Sequence, residues 1–213
     1  MRKLLLPMFA LAFVVAAPAG YAAYRGYHFR NFRVVQPGFL LRSGQLSPQG
    51  LHRVWHEFGV GTVVTLRVND ELKGNPDLKW EEKKCKKEEM VFVRLPPLPW
   101  HAKDDGPIPA QANVDRWLEV LRDAKKYPRP ILVHCFKGTH RTGIYIALYR
   151  MEIERWSNEE AIAELMDQGY DLLEDEPDVH GYLRAYVPTW KRGKEPKAFR
   201  EGPTAEIAAE EKF

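Results

Sequence analysis

Val133-His134-Cys135-Phe136-Lys137-Gly138-Thr139-His140-Arg141-Thr142-Gly143 decides how this chain is read. Just before it, Pro130-Ile131-Leu132-Val133 is a short apolar run with the pattern of a buried strand. Just after it, Ile144-Tyr145-Ile146-Ala147-Leu148-Tyr149-Arg150 reads as the first turns of a helix. A cysteine therefore stands at a strand's carboxyl end. Five residues of loop follow, and Arg141 stands where a helix begins.

This layout suits an anion. A helix start offers unpaired N–H groups and the positive end of the macrodipole. A tight loop in front of it can turn further N–H groups inward as a nest. Gly138 opens backbone conformations closed to other residues. Arg141 adds a planar fork matched to two phosphate oxygens. The same field favours a thiolate, so one loop can hold a phosphate and carry the nucleophile that attacks it. The Thr142 hydroxyl is expected to bond the sulfur or ease its departure.

Cys135, the five-residue loop, Arg141 and Thr142 resemble the signature of the cysteine-dependent protein tyrosine phosphatase superfamily. The similarity is to its compact dual-specificity branch, in the atypical plant, fungal and bacterial form His-Cys-x-x-Gly-x-x-Arg-Thr-Gly. Leu41-Arg42-Ser43-Gly44-Gln45 resembles a second segment of the same family, one that packs near the active-site loop. The resemblance implies a phosphocysteine on Cys135. It implies phosphate held by Arg141 and by the amides of Phe136, Lys137, Gly138, Thr139 and His140. His134 is implied to orient the loop and keep the thiol ionised, and Arg42 to support the loop or touch substrate, although an ordinary ion pair fits Arg42 as well. The other readings of Cys135 are a buried structural thiol or a rhodanese-like sulfur-transfer loop, and Arg141-Thr142 suits phosphate better than either. A nucleotide-binding P-loop would need a Gly-Lys-Ser/Thr ending that is absent here.

The chain has 213 residues, 45% of them hydrophobic, enough for one domain with extensions. A formal net charge of +3 carries no nucleic-acid signature. Two cysteines give no disulfide framework. No zinc-ligand spacing or dinucleotide fingerprint occurs, and the implied chemistry needs no metal and no cofactor. Residues 1–24 read as a signal peptide or membrane anchor, with Arg2 and Lys3 ahead of the apolar run Leu4 to Ala17. The catalytic domain is expected over 27–190 and outside the cytoplasm, with a membrane-tethered domain facing the cytoplasm as the alternative. Residues 191–213 are charged, poor in large apolar groups, and read as a disordered tail.

Between these ends the chain alternates. Val34, Val35 and Phe39 around Pro37-Gly38 predict a first hairpin. Ser47-Pro48 caps and opens a helix ended by Gly59. Thr62 to Leu66 is a β-branched strand, and Asn69 to Asp77 is loop-like. Leu78 to Met90 is a helix whose mixed charges read as a solvated face, with Cys85 on that face or, less simply, in a redox role opposite Cys135. Val91 to Leu95 is the next strand. Helices are then expected over Ala110–Lys126, Thr142–Trp156, after Ser157, and Pro177–Trp190. The pattern predicts an α/β fold: a mixed, mostly parallel central sheet flanked by helices, as the resemblance to tyrosine phosphatases also implies.

Pro96 to Pro107 is too rich in proline for a helix or central strand and must be a surface loop. It occupies the family's general-acid position. Asp105 and Asp104 are the candidates for protonating the leaving oxygen, with Asp105 preferred by its spacing to the next helix, and His101 is read as a loop residue. The expected substrate is a phosphorylated protein, through phosphotyrosine or phosphoserine and phosphothreonine. Lys137 and His140 also suit an inositol phosphate or phospholipid headgroup. The rival of another class is a phosphate-binding module without turnover.

Overall fold

The computed structural model describes residues 2–68 and 79–192, with the backbone alone for 2–13 and 15. Helix α1 runs over Arg2–His28. A hairpin follows, of β1 (Arg33–Gln36) and β2 (Leu40–Ser43). Then come α2 (Pro48–Phe58), β3 (Thr62–Thr65), α3 (Lys79–Lys87) and β4 (Val91–Arg94). The second half adds α4 (Ala110–Arg122), β5 (Ile131–His134), α5 (His140–Glu152), α6 (Asn158–Asp167) and α7 (Pro177–Ala185).

The strands form one sheet in the order β1-β2-β5-β3-β4. Only β1 runs antiparallel to its neighbour; β2, β5, β3 and β4 are parallel. This is the mixed, mostly parallel sheet expected. Strand residues alternate between two apolar layers, as a pleated sheet requires. Leu40, Val64, Ile131 and Val133 point into the layer under α4 to α7. Leu41, Val63 and Leu132 point into the layer that holds Leu51, Val54 and Cys85 of α2 and α3.

The register sets where chemistry can occur. Ser43 and Thr65 both stand beside His134, so β2, β5 and β3 end level with one another. Parallel sheets bind ligands in the crevice at the carboxyl ends of their strands, and Cys135 is the next residue.

Local signals account for most boundaries. Ser47 Oγ accepts the Gly50 N–H at 3.0 Å, and Gly59 closes α2 in the left-handed region at φ 66°. Ser157 and Glu160 form a complete capping box at α6. Four helices end sooner than periodicity predicts, α3 among them, at Lys87. In α4, Asp123 turns its carboxylate onto the Lys126 N–H at 2.9 Å. Beyond α5, Arg155 takes φ 62°. In α7, Tyr186 turns extended two residues ahead of Pro188, which forbids helix before it.

The last turn of α1 is tied to the start of α2. His28, in the last turn of α1, bonds Ser47 at the start of α2, with Nδ1 2.6 Å from Oγ. The leader expectation concerns residues 1–24, and the side chains of 1–13 and 15 lie outside the described residues. Among the described residues no helix is long and apolar enough to cross a membrane. The Asn69–Asp77 loop and tail residues 193–213 also lie outside the described residues. Lys191 and Arg192, assigned to the tail, belong to a 3-10 turn over Thr189–Arg192.

Candidate active site

Cys135 follows β5 directly and is 2% exposed. Its loop is held from outside by three donors. The Gln45 N–H bonds Phe136 O at 2.9 Å, Asn31 Nδ2 bonds Lys137 O at 2.9 Å, and Arg42 Nη2 bonds Gly138 O at 2.8 Å. In a planar trans peptide the C=O and the following N–H point opposite ways. Drawing three carbonyls outward therefore turns the N–H groups of Lys137, Gly138 and Thr139 the other way. The Gly138 N–H indeed lies 3.1 Å from Cys135 Sγ. A nest of this kind stabilises a thiolate, and then a phosphate oxygen, without moving.

Glycine is required here on two counts. Gly138 has φ 85°, and a Cβ on it would meet Gly44 N at 2.3 Å. A Cβ on Gly44 would meet Lys137 O at 2.5 Å. The Arg42–Gln45 segment and the Cys135 loop thus pack backbone against backbone, which explains why both motifs occur in one chain.

Arg42 is buried. Burial, with Arg33 adding repulsion, lowers its pKa to about 10, so it stays cationic at neutrality. Its Nη2 donates to Gly138 O, which ties the loop to β2. Arg141, in the first turn of α5, donates from Nη1 to Leu66 O at 2.7 Å, which braces the guanidinium against the end of β3. The Thr142 hydroxyl lies 3.4 Å from Ser43 O at the end of β2. Thr142 is fully buried, and Ser43 sits level with the end of β5, so that carbonyl is an acceptor within reach.

Behind the loop lies a buried polar group. His134 Nδ1 is 3.3 Å from Cys135 O, and Nε2 is 3.1 Å from Glu81 Oε1. Gln45 Nε2 donates to the same Glu81 oxygen at 3.1 Å, and Arg67 Nη1 donates to Gln45 Oε1. Glu81 and Arg67 are each 1% exposed. The solvated-face reading of α3 is therefore wrong for one side of the helix: Glu81 and Cys85, four residues apart, both turn inward. Phe136 in the loop carries two guanidiniums near its ring, Arg30 at 4.6 Å and Arg67 at 5.5 Å.

Cys85 sits on the opposite face of the sheet from Cys135. Burial, reinforced by Glu81, pushes its thiol up to about 12. A partner role toward Cys135 is excluded by the intervening sheet, and Cys85 is a packing residue.

Asp104 and Asp105 lie in an exposed loop as expected, with Asp104 in the left-handed region at φ 55°. The loop is fastened at its start. Trp100 packs on Tyr182 at 4.9 Å and on Tyr145 at 6.5 Å between ring centroids. His101 Nδ1 lies 3.0 Å from Asp178 on α7, so His101 serves the loop's attachment. A cleft of about 570 Å³ opens between Trp100, Ile108 and Tyr182; no residue of the Cys135 loop lines it.

Lys137 is exposed at the loop's rim. His140 stacks on Tyr170 at 4.6 Å with an 11° interplanar angle. Burial, and then the nearby Lys137 charge, hold its pKa below the usual histidine value.

Residues 32–177 match the model of the family described as "DSP-PTPase phosphatase fused to NAD+ Kinase". The chain belongs to this DSP-PTPase family. Its class is the cysteine-dependent tyrosine and dual-specificity phosphatases. The dual specificity protein phosphatase TpbA of Pseudomonas aeruginosa is 33% identical over 96 residues, which cover 43% of this chain and 40% of TpbA. The chain thus spans about two fifths of that DSP-PTPase relative's length. A crystal structure of P. aeruginosa TpbA in complex with pTyr superposes with a TM-score of 0.57 at 23% identity, covering 81% of this chain and 92% of that one. The catalytic core of the PP-IP phosphatase Siw14 of Saccharomyces cerevisiae, solved with citrate, gives 0.54 at 17% identity, covering 75% and 87%. At these identities the two structures establish the DSP-PTPase fold.

Sequence reasoning missed Asn31, Arg30 and Glu81. For Glu81 a signal existed: a cysteine four residues on marks an inward helix face. For Asn31 and Arg30 there was none, because their partners lie about a hundred residues away.

Proposed function

We propose that the chain hydrolyses phosphoric monoesters through a phosphocysteine on Cys135, with phosphotyrosine proteins, and also phosphoserine or phosphothreonine proteins, as substrates. The observation that carries this reading is the Gly138 N–H at 3.1 Å from a buried cysteine sulfur, in a loop whose carbonyls are tied outward. Membership of the phosphatase family supports it, as does the pTyr complex of TpbA.

The Cys135 thiolate attacks phosphorus, and the bond to the ester oxygen breaks. Loop N–H groups and Arg141 carry the charge spread over the equatorial oxygens. Asp105, or Asp104 in its place, gives its proton to the leaving oxygen. The resulting carboxylate takes a proton from water, which attacks the phosphocysteine and releases phosphate and thiolate.

The test is phosphate release from an aryl phosphate by the full chain. Cys135→Ser should abolish it, and phosphate binding without release would leave a binding module. Of Asp105→Asn and Asp104→Asn, the variant that loses the basic limb of the pH–rate profile identifies the acid. If neither does, the acid lies elsewhere.

A second substrate class has an observation of its own. Lys137 and Arg30 stand beside the loop, Arg30 over the Phe136 ring, and such cations suit a ligand with more than one phosphate. Siw14, similar in fold, is described as a PP-IP phosphatase. Turnover of phosphopeptides, inositol phosphates and phosphoinositide vesicles side by side separates these classes. For location, we propose export or anchoring through the apolar segment after Arg2 and Lys3, tested by cell fractionation.

A further inference from the structure

We propose that Glu81 is a positioning residue for the Cys135 thiolate, acting through His134, which it holds as an imidazolium beneath the phosphate loop. This rests on Cys135 being the nucleophile. The argument starts from what the two ring nitrogens face. Nδ1 faces the Cys135 carbonyl at 3.3 Å, and Nε2 faces Glu81 Oε1 at 3.1 Å, at a skewed angle. A carbonyl and an ionised carboxylate can only accept, so a proton on each nitrogen answers both.

Burial makes the pairing necessary. The Glu81 and His134 side chains are each 1% exposed. Glu81 Oε1 takes one neutral donor, Gln45, and Oε2 takes none. A carboxylate removed from water this way needs a neighbouring cation. The other charged groups packed around the ring are Arg67 beyond β3, which Gln45 bridges to the same carboxylate, Arg42 of β2, and Cys135 itself. Arg42 is already committed to the Gly138 carbonyl.

The geometry gives the pair a direction. Glu81 meets the ring at Nε2, and the Cys135 backbone meets it at Nδ1 on the other side. The ring thus lies between Glu81 and the Cys135 backbone, and a cation held on it, though paired, favours a thiolate on that residue. A neutral imidazole taking a proton from an un-ionised Glu81 has the same number of protons but no such field. The two arrangements can be told apart by experiment.

Glu81→Gln keeps the shape and the acceptor for Gln45 and removes only the charge. In the full chain, the pH midpoint for alkylation of Cys135 by iodoacetamide should rise by about one unit, a roughly tenfold loss of thiolate below the midpoint. Glu81→Asp should restore part of it. An unmoved midpoint in a folded Glu81→Gln protein overturns the proposal. A measurement on the unaltered protein decides independently of folding. The ¹⁵N shifts of the His134 ring should show both nitrogens protonated at neutral pH, and a singly protonated ring overturns the proposal. Neither readout needs turnover. Persistent phosphate release from Cys135→Ser would sink the enzymatic reading while leaving both of these results as they stand.

Discussion

Two glutamates are buried among the described residues, and they are treated very differently. Glu152, at the end of α5, is satisfied on both oxygens. It accepts the Tyr186 hydroxyl, the Thr189 N–H at 2.9 Å and the Thr189 hydroxyl at 2.7 Å, and it pairs with Arg122 at 2.7 Å. Glu81 has one neutral donor, a skewed histidine and an oxygen with no donor. A carboxylate with a full complement of donors holds structure together. One left short of donors spends stability, and in folded proteins such shortfalls gather where chemistry is done. The first fastens the turn over Thr189–Arg192 to the helical layer. The second lies behind the Cys135 loop, against His134.

That contrast can be broken by measurement. The largest effect should come from Glu152→Ala, which leaves Arg122 without its carboxylate and strands the Thr189 and Tyr186 donors. Urea denaturation should show a loss of about 3–5 kcal/mol, with the pH profile of Cys135 alkylation unchanged. Glu81→Gln should do the reverse, moving that profile and costing much less stability, on the order of 1 kcal/mol. If the two variants lose equal stability, the distinction fails. Arg42→Gln tests the loop's outer tethers. With the Gly138 carbonyl released, kcat/KM for an aryl phosphate should fall by about tenfold or more, less than the ~10²–10³ that removing an anion-binding donor outright costs. The two thiols sharpen the picture further. Near neutrality Cys135 should be alkylated fast and Cys85, pushed up to about 12, should stay inert, as mass spectrometry of the intact chain can show. The smallest effect belongs to Arg53→Ala, which removes an exposed ion pair with Glu57 and should leave the melting temperature unmoved.

Much of this was legible in the residues. The apolar run into Cys135, the loop and Arg141 placed a cysteine at a strand end, and the strand and helix alternation implied parallel pairing. Caps at Ser47 and Ser157 were local and therefore readable. What escaped was long-range. Asn31 reaches Lys137 O only because β2 and β5 are neighbours with level ends, and register is not written in either strand alone. Glu81 was hidden by its company: in a run of charges each one looks solvated, and only the sheet decides which side of the helix is shut away from water.

The outward ties on residues 136–138 have a consequence for how the polypeptide can be trimmed. All three come from positions 31 to 45, and His28 secures that stretch against α2. A peptidase that shortens the amino-terminal helix spares the catalytic cradle only by cutting ahead of His28. A cut a few residues later would leave every residue of the Cys135 motif in place and still untie the carbonyl of Lys137.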